Sequence, residues 1–295
     1  MRNYYYLVAG LREYPIDADT KGFDVAAIRD DIAEGLHEAD RRSLREFYTF
    51  YDVQNIIAVW NGKSAFNPLG NFPRQALEEE VARPENLPGY IADVIIAYKN
   101  RVKEDKSIDV DETIDTAVPF ERTLWSRFYE HCARSHTPFV REWYAFDRQL
   151  RNISAAYTAR KLGREIEPEL VGDDGINSAL ARNSSTDFGL KAEIDYIDQL
   201  VQILENKNMV EKERQLDLLR WSKADELTDF DYFTMNKVLA YCVKINVIHR
   251  WMSLDKEIGN EMFLRLAEDL TGREIVSRAV DAVEGLDNRA KRVKR

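Results

Sequence analysis

Apolar residues recur every three to four positions along most of this chain, the spacing of a helix that buries one face. "FDVAAIRDDIAEGLHEAD" puts Val25, Ile28, Ile32 and Leu36 on one stripe, with Asp24 as the N-cap. A second helix is predicted over about 40–61, ended by Gly62, and others over about 73–82, 88–104, 119–134 and 138–162, the last closed by Gly163. Helical spacing resumes over about 188–207, with the stripe Leu190, Ile194, Ile197, Val201 and Leu204. It continues over 210–226, 231–254 and 256–292, with a break near Gly272. Between these stretches, "SAFNPLGNFP" (64–73) reads as a loop, and 165–187 as an irregular connection. Only the opening "YYYLVAGL" has strand character, predicting a short extended N-terminal segment. The expected fold is therefore all-α.

Composition narrows the function. The chain has 295 residues, 44% hydrophobic and 32% charged, with 13 glycines and 8 prolines, which suits a large, charged, helix-rich core. A net charge of −10 argues against nucleic acid, whose phosphates need a basic surface. The basic run Arg289, Lys291, Arg292, Lys294 and Arg295 reads as a solvated end. Two cysteines, Cys132 and Cys242, form no disulfide framework, and no apolar run is long enough to span a bilayer. "MRNYYYLVAGLREY" lacks the apolar stretch of a signal peptide, so the expected location is cytoplasmic.

Catalytic patterns are sparse. Glu34 and His37 are the one Glu-x-x-His pair, too few for a di-iron carboxylate bundle. "HCARSH" (131–136) lacks the paired spacing of zinc sites and reads as a helix terminus. "DDIAE" (30–34) resembles half of an aspartate-rich magnesium motif of all-α diphosphate enzymes, but no second acidic helix of the required sequence faces it. Phosphate-binding loops and nucleophile elbows are missing. Neither a cofactor nor a catalytic residue is expected.

One internal match stands out. "FDRQLRNISAAY" (146–157) and "FDYFTMNKVLAY" (230–241) share Phe146/Phe230, Asp147/Asp231, Asn152/Asn236, Ala156/Ala240 and Tyr157/Tyr241 in register. "FYDVQNIIAVW" (50–60) is a looser relative carrying Asp52, Asn55, Ala58 and Trp60. The match reads as an internal repeat of packing helices, with chance similarity of amphipathic helices as the alternative. Asparagine is a mediocre helix former, so buried copies need hydrogen-bond partners. Asp147, Asn152, Asp231 and Asn236 are accordingly expected to position helix starts or cross-link neighbours.

An aromatic or acidic lead into Asp-x-x-Asn and an apolar helix, used more than once in an all-helical chain of this size, resembles the family of C-type connector subunits of V-type and A-type ATPases, known as d-type in the eukaryotic enzyme. The resemblance runs through a bacterial branch encoded beside V-type ATPase genes. It is carried by "NYYYLVAGL" (3–11), "YDVQNIIAVWNG" (51–62), "RNISAAYTARKLGRE" (151–165), "DFGLKAEIDYIDQL" (187–200), "LDLLRWSKADEL" (216–227) and "VLAYCVKINVIHRWMSLDKEIGNEMF" (238–263).

The resemblance implies a non-catalytic central-stalk connector, coupling the shaft of a rotary ATPase to its membrane ring during proton or sodium transport. It implies an elongated multi-helix unit over 1–295, with three weakly repeated lobes around 23–82, 88–163 and 188–292. The partners would be the central shaft and the rotor ring, with membrane association through protein contacts alone. Interface anchors favour Trp and Arg, so Trp60, Trp221 and the "RW" pairs Arg220–Trp221 and Arg250–Trp251 are candidates beside the Asp and Asn residues. Stacked Arg–Trp pairs could hold lobes together. The alternatives are a generic helical adaptor and a magnesium-dependent diphosphate enzyme using "DDIAE".

Overall fold

The computed structural model describes residues 2–15, 22–103, 111, 113–172 and 175–254. Asp24 caps the first predicted stripe, its carboxylate accepting from the backbone N–H groups of Ala26 and Ala27 at 2.9 and 3.2 Å. The chain opens with a short α1 (Tyr5–Gly10) and the capped α2 (Val25–Gly35). The long α3 (Glu38–Trp60) follows, then α4 (Arg74–Ala82) and α5 (Gly89–Lys103). The middle of the chain supplies α6 (Phe120–Ala133) and α7 (Pro138–Lys161), and a 3-10 turn at Glu167–Glu169 leads into α8 (Gly175–Arg182). The series ends with α9 (Ile197–Glu205), α10 (Met209–Glu226) and α11 over 235–254. The fold is all-α. The predicted helix over 256–292 and the basic run at 289–295 lie outside the described residues.

Two expectations are corrected. The N-terminal segment is not extended: Tyr5–Gly10 is helical, and only Asn3 pairs in a bridge, antiparallel to Thr234. With no neighbouring strand beyond that bridge among the described residues, the segment closes its own hydrogen bonds as a helix, Val8 donating to the Tyr4 carbonyl at 2.9 Å. The helix expected from 188 begins only at Ile197. Phe188 and Gly189 both have positive φ, and the Asp187 carboxylate accepts from the Gly189 N–H at 3.0 Å, which turns the chain instead. Leu190 and Ile194 are buried all the same, so the apolar spacing marked the core and not the helix.

The chain divides into a unit spanning Met1–Asn246 and a unit spanning Val247–Arg295. In the first, one core runs from Tyr4 to Ile245. Its centre lies where α3, α6 and α7 pack on one another. Phe50 on α3 meets Trp125 on α6 at 5.1 Å between ring centroids and stacks on Tyr144 of α7 at 5.8 Å, while Phe128 meets Tyr144 edge-on at 4.9 Å. Such pairs add to what the burial of these four aromatic rings contributes. The Tyr144 hydroxyl donates to the Phe47 carbonyl, so the phenol leaves no buried polar group unmet. Of the second unit the described part is helical, with Val247 and Ile248 buried.

Candidate functional site

The two longest helices that carry an interior asparagine end in the same way. After α3, Gly62 has φ +65°, its N–H donates to Val59, and the Lys63 N–H reaches back to the Ala58 carbonyl at 2.8 Å. After α7, Gly163 has φ +64°, its N–H donates to Arg160, and the Arg164 N–H reaches the Ala159 carbonyl at 2.9 Å. This is the Schellman closure, which needs a left-handed residue and selects glycine. It sends each chain back along the helix it has just left.

The returning segments are then gripped. Asn55 on α3 accepts from the Asn67 N–H at 2.7 Å and donates to the Asn67 carbonyl at 2.8 Å. Asn152 on α7 accepts from the Val171 N–H at 3.0 Å and donates to the Val171 carbonyl at 2.9 Å. In both cases one side-chain amide pairs with both backbone groups of one loop residue, as a neighbouring strand would. Both asparagines are 1% exposed.

Each clamp has its own reinforcement. Around α3 the Asp52 carboxylate accepts from the Asn71 N–H and Nδ2 at 2.7 Å each, and from the Phe72 N–H at 3.3 Å. Arg29 on α2 donates to the Leu69 and Gly70 carbonyls and to Asn71 Oδ1, with its guanidinium 3.9 Å from the centre of the Tyr48 ring. Gly70 lets the loop lie flat, since a Cβ there would stand 2.7 Å from Asp52 Oδ1 and 3.0 Å from Asn55 Nδ2. Burial pushes the Asp52 carboxyl up to about 6, against the pull of its N–H donors and Arg29. Around α7, Asn152 Nδ2 also donates to Asn177 Oδ1 at 2.8 Å, and Asn177 donates in turn to the Gly172 carbonyl at 2.8 Å.

The in-register match of 146–157 with 230–241 does not survive as a structural repeat. The first segment lies inside α7, whereas the second spans the turn before α11 and its opening turns. Phe146 is buried and Phe230 is 93% exposed. Asp147 accepts from the Tyr129 hydroxyl of α6 at 2.6 Å. Asp231 accepts instead from Thr234 Oγ1 at 2.9 Å and Asn236 Nδ2 at 2.8 Å, at the start of α11. Asn236 Oδ1 accepts from the Phe139 N–H at 3.3 Å, satisfying a donor in the first turn of α7. The shared letters arise because polar side chains serve both helix starts and helix interiors. The geometry is repeated by the looser relative, α3, through Asn55.

The tryptophans play other parts. Trp60 stacks on Phe120 at 4.1 Å and is half-buried. Trp221 lies under the Lys244 ammonium at 5.1 Å, and its neighbour Arg220 turns away to donate to the buried Asp217 carboxylate at 2.7 Å. The Arg220–Trp221 stack expected from sequence is therefore replaced by an ion pair, because a buried carboxylate needs a charged partner more than an indole does. Arg250 and Trp251 are half-buried on α11 in the second unit. Asp30, Asp31 and Glu34 of "DDIAE" are all exposed on α2. Among the described residues no group of three or more His, Cys, Asp or Glu side chains is placed to hold a metal ion. Cys132 and Cys242 are buried and free, and burial pushes the Cys242 thiol up to about 12, which leaves it a poor nucleophile.

Sequence reasoning missed the loop side of each clamp: Asn67, Gly70, Asn71, Val171 and Asn177, together with Arg29. The available signal was the glycine that ends each long helix followed by a loop rich in asparagine or glycine. A family model described as "Protein of unknown function (DUF2764)" matches residues 1–274. The chain belongs to that family. The matched span holds both clamps and the turn before α11. Neither a curated protein nor a solved structure matches the chain.

Proposed function

We propose that this DUF2764 protein is a non-catalytic connector of a V-type rotary ATPase, seated between the central shaft and the membrane ring. The role comes from the resemblance to the C-type connector family of rotary ATPases. The observation that carries it is the duplicated clamp, in which a long helix and its returning loop are fastened into one body by Asn55 and by Asn152. A part that transmits torque has to be stiff, and loops bonded to buried side chains resist the local opening that ordinary surface loops allow. The predominantly acidic charge of the chain would steer docking by a basic partner. Association with the cytoplasmic face of the membrane would run through protein contacts, and no described helix is long and apolar enough to cross a bilayer.

The test is co-purification. The tagged protein is recovered from native membranes under mild detergent, and its companions are quantified by mass spectrometry. Components of the ATPase head, shaft and ring at near-equal stoichiometry are the expected result. Recovery without any of them, from cells whose motor remains intact, overturns the reading in favour of a helical adaptor of another assembly.

A further inference from the structure

The two Schellman closures differ at the residue before the glycine. Gly163 follows Leu162, whereas Gly62 follows Asn61, and 61–62 is the one Asn-Gly pair in the chain. Asn61 and Gly62 are both exposed, and the Asn61 side-chain amide bonds to nothing among the described residues. A Cβ built on Gly62 would meet nothing within 4 Å, so the Gly62 nitrogen lies in open surroundings. Every other asparagine is followed by a residue with a side chain, and Asn55 and Asn152 are buried and bonded besides. Asn67 precedes Pro68, which has no N–H at all.

We propose that Asn61 is a site of spontaneous deamidation, and that its isoaspartate product undoes the closure that sends loop 64–73 back along α3. The Gly62 nitrogen gives its proton to hydroxide and attacks Asn61 Cγ. The new N–Cγ bond closes an imide ring as the Cγ–Nδ2 bond breaks, and Nδ2 takes up a proton and departs as ammonia. Water then opens the ring on either side. Opening at Cγ leaves aspartate. Opening at the backbone carbonyl leaves isoaspartate, with the chain rerouted through the side chain and one carbon longer. Nothing is oxidised or reduced. Glycine favours the attack because no side chain crowds its nitrogen. The bond from the Gly62 N–H to the Val59 carbonyl at 3.0 Å holds that nitrogen while the closure is intact, so the reaction runs through fraying of this exposed last turn. The isoaspartate product does not reclose, because the extra carbon moves the Lys63 N–H off the Ala58 carbonyl, 2.8 Å away in the intact closure. Either product also sets a carboxylate beside the negative end of the α3 dipole. The grip of Asn55 on Asn67 weakens with the closure. Leu162 spares the second clamp the same fate.

Ageing the full chain in mildly alkaline buffer tests this, with peptide mapping by mass spectrometry and enzymatic methylation of isoaspartate as the readouts. Modification at Asn61 should run at least threefold ahead of every other asparagine, with isoaspartate the larger product. The modified fraction, separated by its added negative charge, should melt below fresh protein and below Asn61→Asp, which carries the charge without the extra carbon. Asn61→Gln, whose longer side chain would have to close a larger ring, should age without loss of melting temperature. Modification at Asn61 no faster than elsewhere, a modified fraction that melts with Asn61→Asp or with fresh protein, or an Asn61→Gln variant that ages as the wild type does would each overturn the proposal.

Discussion

Asn152 on α7 and Val171 in the loop beyond it exchange two hydrogen bonds, at 2.9 and 3.0 Å, so that a single side chain stands in for a strand. Asn55 and Asn67 do the same from α3. The two pairs share no residue, and each lies in its own stretch of chain. They can therefore be perturbed one at a time.

Asn152→Ala should lower the unfolding free energy by about 1–3 kcal/mol, since it strips the partner from the buried Val171 N–H and leaves the Val171 carbonyl only the 3.3 Å bond from Asn177. Asn55→Ala should cost a similar amount, and the double variant should cost their sum, because separate sites without common partners add. Denaturant titration of the three variants checks this. A sum well short of additive would mean that the loops open together.

Gly70→Ala should destabilise by about 1–3 kcal/mol, because the new methyl would stand 2.7 Å from Asp52 Oδ1 and the clamp would have to yield. Gly89→Ala is the control: nothing lies within 4 Å of a Cβ there, and alanine suits a helix better than glycine. Thermal melting should separate the two variants in sign or by several degrees. Equal behaviour would show that the loop is not seated on Asp52 as described.

Asp52 sets a pH dependence. Its carboxyl titrates at about 6 when folded, above its ordinary value of 3.8. The folded state therefore binds more protons than the unfolded state between those values, and stability from this group falls as pH rises through that window. A shift of about two units is worth up to about 3 kcal/mol. The stability of the wild type minus that of Asp52→Asn should therefore decline between pH 4 and pH 7. A difference that stays flat across that range would place the Asp52 carboxyl at its ordinary value.

How much was legible beforehand varies with the element. Asp24, Gly62 and Gly163 announced a helix start and two helix ends, because capping and left-handed closure are local and depend on one residue and its immediate neighbours. Leu190 and Ile194 announced burial but not helix, because apolar spacing records which side chains the core removes from water, and turns can supply the same spacing.

The asparagines divide the same way. Their mid-helix positions in α3 and α7 already required partners, since a buried amide without them is costly. Which partners they found was decided by where Gly62 and Gly163 sent the returning chain, to loop residues 12 and 19 positions beyond Asn55 and Asn152. The same holds for Phe146 and Phe230, identical letters in matched strings, one in the core and one almost wholly in solvent. By itself, then, the sequence determined the all-α class, the helix ends and the need to satisfy buried amides, all of which follow from short-range geometry and solvation. Tertiary structure alone decided the clamps, the split fate of the matched segments and the bridge between Asn3 and Thr234. Those depend on contacts between distant parts of the chain, which no local pattern encodes.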